Sequence, residues 1–242
     1  MEVGTLRRVL RNPALLPAAA ATRLRRFVVS SHLKADVERA SRRLAGAASA
    51  RGLFVDCGSN VGQGFTYFRT HFRPHAYDYL LIEPNPNCVR QLRALVATDD
   101  GTIEIVEAAA SDRNGQTRLF GLTDATGGAT SLGGSIVLDH PSATSAPDGQ
   151  QPISVRTVSL SDLIEEKSRV YPAIVMKMDI EGAEYAVLED LLRSQASRHL
   201  ASLYVEFHSV YMQKPIRAVY AARERAIRRR FRAAGIPLRT WI

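Results

Sequence analysis

The stretch Leu53-Phe54-Val55-Asp56-Cys57-Gly58-Ser59-Asn60-Val61-Gly62-Gln63-Gly64 constrains the chain more than any other. An apolar run ends on an acid, and a glycine-spaced turn then opens a helix. Leu53–Val55 suits a strand buried on both faces. The glycines let the backbone turn tightly and let a ligand approach where a Cβ would collide. The helix that follows offers unpaired N–H groups and the positive end of its dipole. The glycines fall as G-x-x-x-G-x-G, not as the G-x-G-x-x-G of dinucleotide enzymes. No lysine completes a phosphate-binding Walker loop. The spacing therefore argues against a pyrophosphate and favours a ligand with a ribose and a cationic amino-acid end, whose ammonium Asp56 would stabilise. S-adenosylmethionine is such a ligand. A plain strand–turn–helix corner without a ligand has the same spacing.

From Gly52 onward strands and helices alternate. Predicted strands at Leu53–Asp56, Tyr79–Ile82, Ile103–Val106, Ala173–Met178 and Leu203–Val205 are separated by predicted helices at Gly62–Phe72, from Asn87 to about Ala97, and after Asp179. The helix after Asp179 turns Ala183, Val187, Leu188 and Leu191 inward, and Glu184 and Glu189 read as ordinary helix residues. This order predicts an α/β fold with a mostly parallel sheet and right-handed crossovers, its ligands at the carboxyl ends of the strands. A basic helix over Ile216–Ala234 and a short strand within Ile236–Ile242 complete the pattern. Residues 113–157 differ: Gln116–Phe120 and Ile153–Val158 suit short strands, and Ser159–Glu165 starts a short helix. The Gly, Ser, Thr, Ala and Pro of 121–152 read as loops, with the length of a lid or binding loop.

The net charge of +8 is confined to the two ends. Residues 1–51 and 212–242 each carry +8, whereas 52–211 carries −8. A basic surface suits nucleic acid, anionic lipid or an acidic substrate, and a solvated helix face is the plainer reading. The aromatic residues that interleave with basic ones in single-strand binders are missing from both ends. Residues 1–51 read as a peripheral, basic, helical extension to a domain spanning 52–242. Leu24, Phe27 and Val28 share one face of it, and Leu33, Val37 and Leu44 another; such a helix can rest on a membrane surface. The apolar segment Ala14–Ala21 is short and holds Pro17, and Arg23, Arg25 and Arg26 follow with no clean cleavage pattern, so the reading rejects export. Cys57 and Cys88 lie far apart in apolar segments, which fits reduced thiols in a cytoplasmic protein.

Acids recur at predicted strand ends: Asp56, Glu83, Asp112 just beyond the third strand, Asp179 and Glu206. On successive parallel strands these converge on one rim. Glu83 lies 19 residues past Gly64, the separation at which an acid reaches both hydroxyls of a ribose.

Five segments together carry a resemblance: V-D-C-G-S-N-V-G at 55–62, I-E-P-N-P at 82–86, A-A-S-D at 109–112, K-M-D-I-E-G-A-E at 177–184 and V-E-F-H at 205–208. Over roughly residues 52–208 the chain resembles the FkbM family of S-adenosylmethionine-dependent methyltransferases. The resemblance implies a Rossmann-like class I methyltransferase fold and, commonly, O-methylation of sugars or secondary metabolites. It implies that Asp56, Gly58, Ser59, Asn60 and Gly62 hold the methionine end and Glu83 the ribose. Ala110, Ser111 and Asp112 would flank the adenine, Asp112 accepting from its exocyclic amine. Family members often have Ala at the position of Ser59. Class I domains usually continue with two strands after the fifth, and this chain leaves room for one.

Methyl transfer from a sulfonium is an in-line displacement, so the protein must align the acceptor and remove its proton. A hydroxyl acceptor calls for a general base. Asp179, Glu181 and His208 are the candidates in that order. Asp179, Glu206 and His208 would suit a divalent cation such as Mg²⁺, although metal-free base catalysis is preferred. The expected partner is a small-molecule or glycan acceptor. A nucleic-acid methyltransferase clamping its substrate with the basic ends is disfavoured, because D-I-E-G stands after the fourth strand in place of the N-P-P-Y type motif. The non-enzymatic alternative is a membrane-surface or partner-binding module on the same fold.

Overall fold

The computed structural model describes residues 32–45, 50–122, 134–143 and 151–241. The proposed amphipathic face at Leu24–Val28, the segment Ala14–Ala21 and most of the 121–152 loop lie outside the described residues.

Strand β1 (Gly52–Cys57) sits in mid-sheet, and all six of its residues are buried. An apolar run with no polar face needs cover on both sides. Successive side chains alternate between two cores: Leu53, Val55 and Cys57 join one, and Phe54 joins the other, with Phe65, Phe68, Phe72 and Tyr204. Helix α2 (Gln63–Arg69), strand β2 (Tyr77–Glu83), helix α3 (Pro86–Val96) and strand β3 (Ile103–Glu107) follow in order. Asn85 starts α3 by accepting from the Asn87 N–H, and Pro86 occupies the first turn, where no N–H is required.

Strands β4 (Ala109–Ser111), β5 (Gly115–Leu119) and β6 (Ile153–Ser159) form a second sheet in the order β4-β6-β5. Residues 134–143 fold back against it, since Phe120 and Ser135 exchange backbone hydrogen bonds of 2.8 and 3.1 Å. The sequence reading anticipates β5 and β6 but not a sheet of their own.

Helix α4 (Leu160–Lys167), strand β7 (Ile174–Met178), helix α5 (Glu184–Arg193), strand β8 (Leu200–Val205), helix α6 (Arg217–Ala233) and strand β9 (Leu238–Thr240) complete the chain. The main sheet has the order β3-β2-β1-β7-β8-β9, with every pairing parallel. The chain thus works outward from β1 through β2 and β3, then returns to β7 on β1's other side. That reversal opens a crevice at the carboxyl ends of β1 and β7. The short strand expected within Ile236–Ile242 is β9, which pairs with β8.

Residues 32–44 form helix α1, which packs into the second core through Leu33 and Ala40. Its Asp36 is fully buried and accepts from the Tyr204 hydroxyl at 2.8 Å and from the Arg239 guanidinium at 3.1 Å. This part of the basic extension is therefore built into the sheet's cover. None of the described helices is long and apolar enough to cross a membrane.

Candidate active site

The parallel register sets Asp56 of β1 directly opposite Lys177 of β7. Both side chains are buried, the lysine 3 % exposed and the aspartate 0 %. Lys177 Nζ lies 3.1 Å from Asp56 Oδ1 and 3.7 Å from Asp179 Oδ2, and donates to the Gly58 carbonyl at 2.7 Å. One ammonium therefore ties together the ends of two strands. Burial alone would lower the Lys177 pKa, but Asp56 and Asp179 more than reverse that and raise it. Burial pushes the Asp56 carboxyl up, and Lys177 opposes the shift. Above this pair the two chain segments nearly touch. A Cβ on Gly58, which has φ +72°, would stand 1.8 Å from the Asp179 carbonyl oxygen, so only glycine fits there.

A cavity of ≈ 280 Å³ occupies the crevice. Gly58, Ser59 and Asn60 after β1, with Glu83 at the end of β2 and Asn85 beyond it, form one side. Ala109, Ala110, Leu119 and Ile136 form an apolar wall, and Lys177, Asp179, Glu181 and Glu206 form an acidic one. Glu83 is held firmly: its Oε2 accepts from the Asn60 N–H at 2.8 Å and its Oε1 from the Asn85 N–H at 2.9 Å. Burial raises its pKa against those two donors.

Asp56 lies behind the cavity wall and can act on a ligand through Lys177 rather than by contact. Gly62 starts α2 and faces Leu92 and Leu95 of α3, away from the cavity. Ser111 and Asp112 follow Ala110 but do not line it. The Asp112 carboxylate is engaged by Arg113 at 2.9 Å and by the Ser111 hydroxyl at 3.2 Å, and the Arg113 hydrogen bonds hold its pKa low.

The acidic wall continues into a buried network. Glu181 has φ +51° and Gly182 φ +99°. This left-handed pair turns the chain sharply after β7, a strain of the kind that persists where it aims a functional side chain. Glu184, at 0 % exposure, accepts from the Gly182 N–H at 2.8 Å and the His208 N–H at 2.9 Å. Its Oε1 also lies 3.0 Å from His208 Nδ1, while His208 Nε2 lies 3.2 Å from Glu181 Oε2 and 3.7 Å from Asp179 Oδ1. Burial would lower the His208 pKa, but the carboxylates at both ring nitrogens raise it to about 10. His208 is thus held as an imidazolium. The neighbouring His140, 3.5 Å from Glu181, is lowered to about 4 by burial and by His208, and stays neutral. Burial, with Asp179 close by, raises Glu206 to about 7. One ligand atom each from Asp179, Glu181 and His208 lies within 4.8 Å of the other two. The charges arrange them as an ion-pair cluster around the imidazolium.

The sequence profile of the methyltransferase FkbM domain matches residues 56–230. The chain belongs to the FkbM methyltransferase family. No curated protein matches it. Among solved structures it is similar to the methyltransferase FkbM from Methylobacillus flagellatus KT, at 17 % identity and a TM-score of 0.39. The alignment covers 64 % of this chain and 34 % of that one, so this chain spans about a third of its length.

In this FkbM-family chain Gly58, Ser59, Asn60, Glu83, Ala110, Asp179 and Glu181, all singled out from the sequence, line one cavity, and His208 stands against Glu181. The sequence reading gives no role to Lys177, takes Glu184 as an ordinary helix residue, and names Glu206 as a strand-end acid and candidate metal ligand. Glu184 is not an ordinary helix residue: it lies on the same stripe as Val187, Leu188 and Leu191. A carboxylate on an apolar stripe must find a buried partner, and that signal was present in the sequence.

Glu184→Gln tests the network. A His208 pKa raised from 6.5 to about 10 contributes stability that is complete below about 6.5 and is lost as pH rises to about 10. Thermal unfolding of the parent should therefore weaken across that window, and the variant should show a flatter profile. Identical slopes would mean that Glu184 does not hold the proton on His208.

Proposed function

We propose that this protein transfers a methyl group from S-adenosylmethionine to a hydroxyl of a sugar, glycan or secondary-metabolite acceptor in the cytoplasm. The observation that carries the reading is the pairing, across one cavity at the strand reversal, of a locked ribose-type acid with a crowd of carboxylates. The donor fits this lining. Glu83 would accept from the ribose hydroxyls, Ala109, Ala110 and Leu119 would cover the adenine, and Gly58 to Asn60 would lie along the methionine portion. The lining carries Glu83, Asp179, Glu181 and Glu206 against Lys177, which suits a sulfonium and an ammonium and repels a polyphosphate. Bound there, the cofactor supplies an electrophilic methyl carbon and a neutral thioether leaving group.

The residues of this chain do the rest. Lys177 pins the Gly58 carbonyl and Asp179 in one arrangement, so the two sides of the cavity keep their spacing. Asp179 and Glu181 accept from hydroxyls that neighbour the reacting one, hold the acceptor in place and so aim its oxygen, leaving the reacting O–H to Glu206. Glu206, with a pKa near the working pH, takes the hydroxyl proton as the oxygen attacks. Of the bases read from the sequence, His208 has the least capacity for that step, because its ring already carries both protons. As an imidazolium it offsets part of the charge that Asp179 and Glu181 bring to this wall, and it opposes the upward push of burial on the Glu181 carboxyl. This reading needs no metal.

The test is to incubate the protein with S-adenosylmethionine and a panel of glycosides and polyhydroxylated metabolites, and to fragment the products by mass spectrometry. Methyl ethers on oxygen are expected. Methylation confined to nitrogen or to nucleic-acid bases would overturn the hydroxyl assignment.

A further inference from the structure

The basic charge that follows residue 211 falls mostly on α6, and three of its arginines share one exposed stripe. Tyr220, Ile227 and Phe231 face the core. The opposite stripe runs Ala218, Ala222, Arg225, Arg229, Arg232, and all five are exposed. Steps of three and four residues keep them in line, so the three arginines span about 10 Å. Arg223 is taken up by Glu189 and Arg228 by Glu224. Arg225, Arg229, Arg230 and Arg232 meet no carboxylate among the described residues.

An apolar patch adjoins the start of this helix. Leu138 is 70 % exposed, Val219 57 %, Val210 54 % and Tyr211 48 %. The Tyr220 hydroxyl donates to Asp139 Oδ2 at 3.0 Å, which brings Leu138 beside the first turn of α6. The Arg217 guanidinium donates to the Met212 carbonyl at 3.2 Å, which ties residues 210–212 to the same turn. Isolated exposed apolar residues are ordinary; four of them near the start of a helix that carries a row of unpaired arginines further along are not.

We propose that α6 and these two segments dock on an anionic phospholipid bilayer. Val210, Tyr211, Val219 and Leu138 would enter the headgroup region, and Arg225, Arg229 and Arg232 would meet lipid phosphates with their stems lying over acyl chains. A nucleic acid fits less well, because Tyr211 is the one aromatic of the patch and the aliphatic residues would stay wet against a phosphate backbone. The segments that carry Leu138 and Val210 also wall the cavity through Ile136 and Glu206. Docking would bring that wall to the lipid surface.

The test uses the full chain and sedimentation with vesicles of phosphatidylcholine, with or without about 30 % phosphatidylserine. Partition onto the phosphatidylserine vesicles is expected, and elevated salt should abolish it. R225Q/R229Q/R232Q should weaken it about a hundredfold, and V210S/V219S about tenfold. Residues 1–31 are unchanged in both variants, so the differences report on α6 and its neighbours, and unchanged thermal melting confirms that each variant folds. No partition, equal partition onto neutral vesicles, or undiminished binding by the arginine variant would overturn the proposal. So would binding of a single-stranded oligonucleotide, but not of vesicles, that the arginine substitutions abolish.

Discussion

Replacing Lys177 with Met is expected to cost the fold about 3–5 kcal/mol, the usual cost of removing one partner of a buried ion pair. For a chain of this size that lowers the melting temperature by about 10 °C. Met matches the lysine stem in length, so the cavity term is small and the loss is electrostatic. Asp56 has no exposure and would be left without its cation. The Gly58 carbonyl would lose its donor at the point where the β1 and β7 segments come closest. Two further results belong to this prediction. The deficit should shrink on acidification, because protonating Asp56 removes the stranded charge. The double variant Asp56→Leu with Lys177→Met should recover part of the loss, since an apolar pair is tolerated where a lone charge is not. A Lys177→Met protein that melts like its parent at neutral pH would show that the pair does not hold the strand ends together.

The second large effect concerns chemistry. Under the proposed mechanism, Glu206→Gln should reduce turnover by about 10²–10⁴-fold while leaving donor affinity nearly unchanged. The parent's kcat/KM should rise as pH passes through about 7, where Glu206 loses its proton, and the variant should lose that rise. The sign follows from crowding: burial and Asp179 favour the neutral acid, so the base form appears only above the raised pKa. Retained turnover with an intact pH profile would move the base role to Asp179.

The sequence carried the main sheet because β1, β2, β7 and β8 are buried runs long enough to read without a partner. It also carried the strand-end acids, since parallel strands deliver their carboxyl ends to one rim. Lys177 was legible as a charge between two buried methionines, but its partner was not. Asp56 is 121 residues earlier, and only the β1–β7 register joins them. The β4-β6-β5 sheet was hidden for another reason. Two of its strands read as strands, but β4 is only three residues long, and nothing in the alternation of β5 and β6 says that they pair with each other apart from the main sheet. The reading of Glu184 failed because its helical position was weighed without the apolar stripe on which it sits. His208 was read from its ordinary pKa, which three carboxylates from β7's end and α5 overturn.

The central claim is that a nucleoside sulfonium lies in the cavity between Glu83 and the acidic wall. Calorimetric titration with S-adenosylhomocysteine, of the parent and of Glu83→Ala, tests it most directly. The account predicts saturable binding by the parent and affinity about 10–100-fold weaker in a folded Glu83→Ala variant, the loss of charge-assisted hydrogen bonds to the ribose. No binding by the parent, or equal affinity in the two proteins, would contradict it.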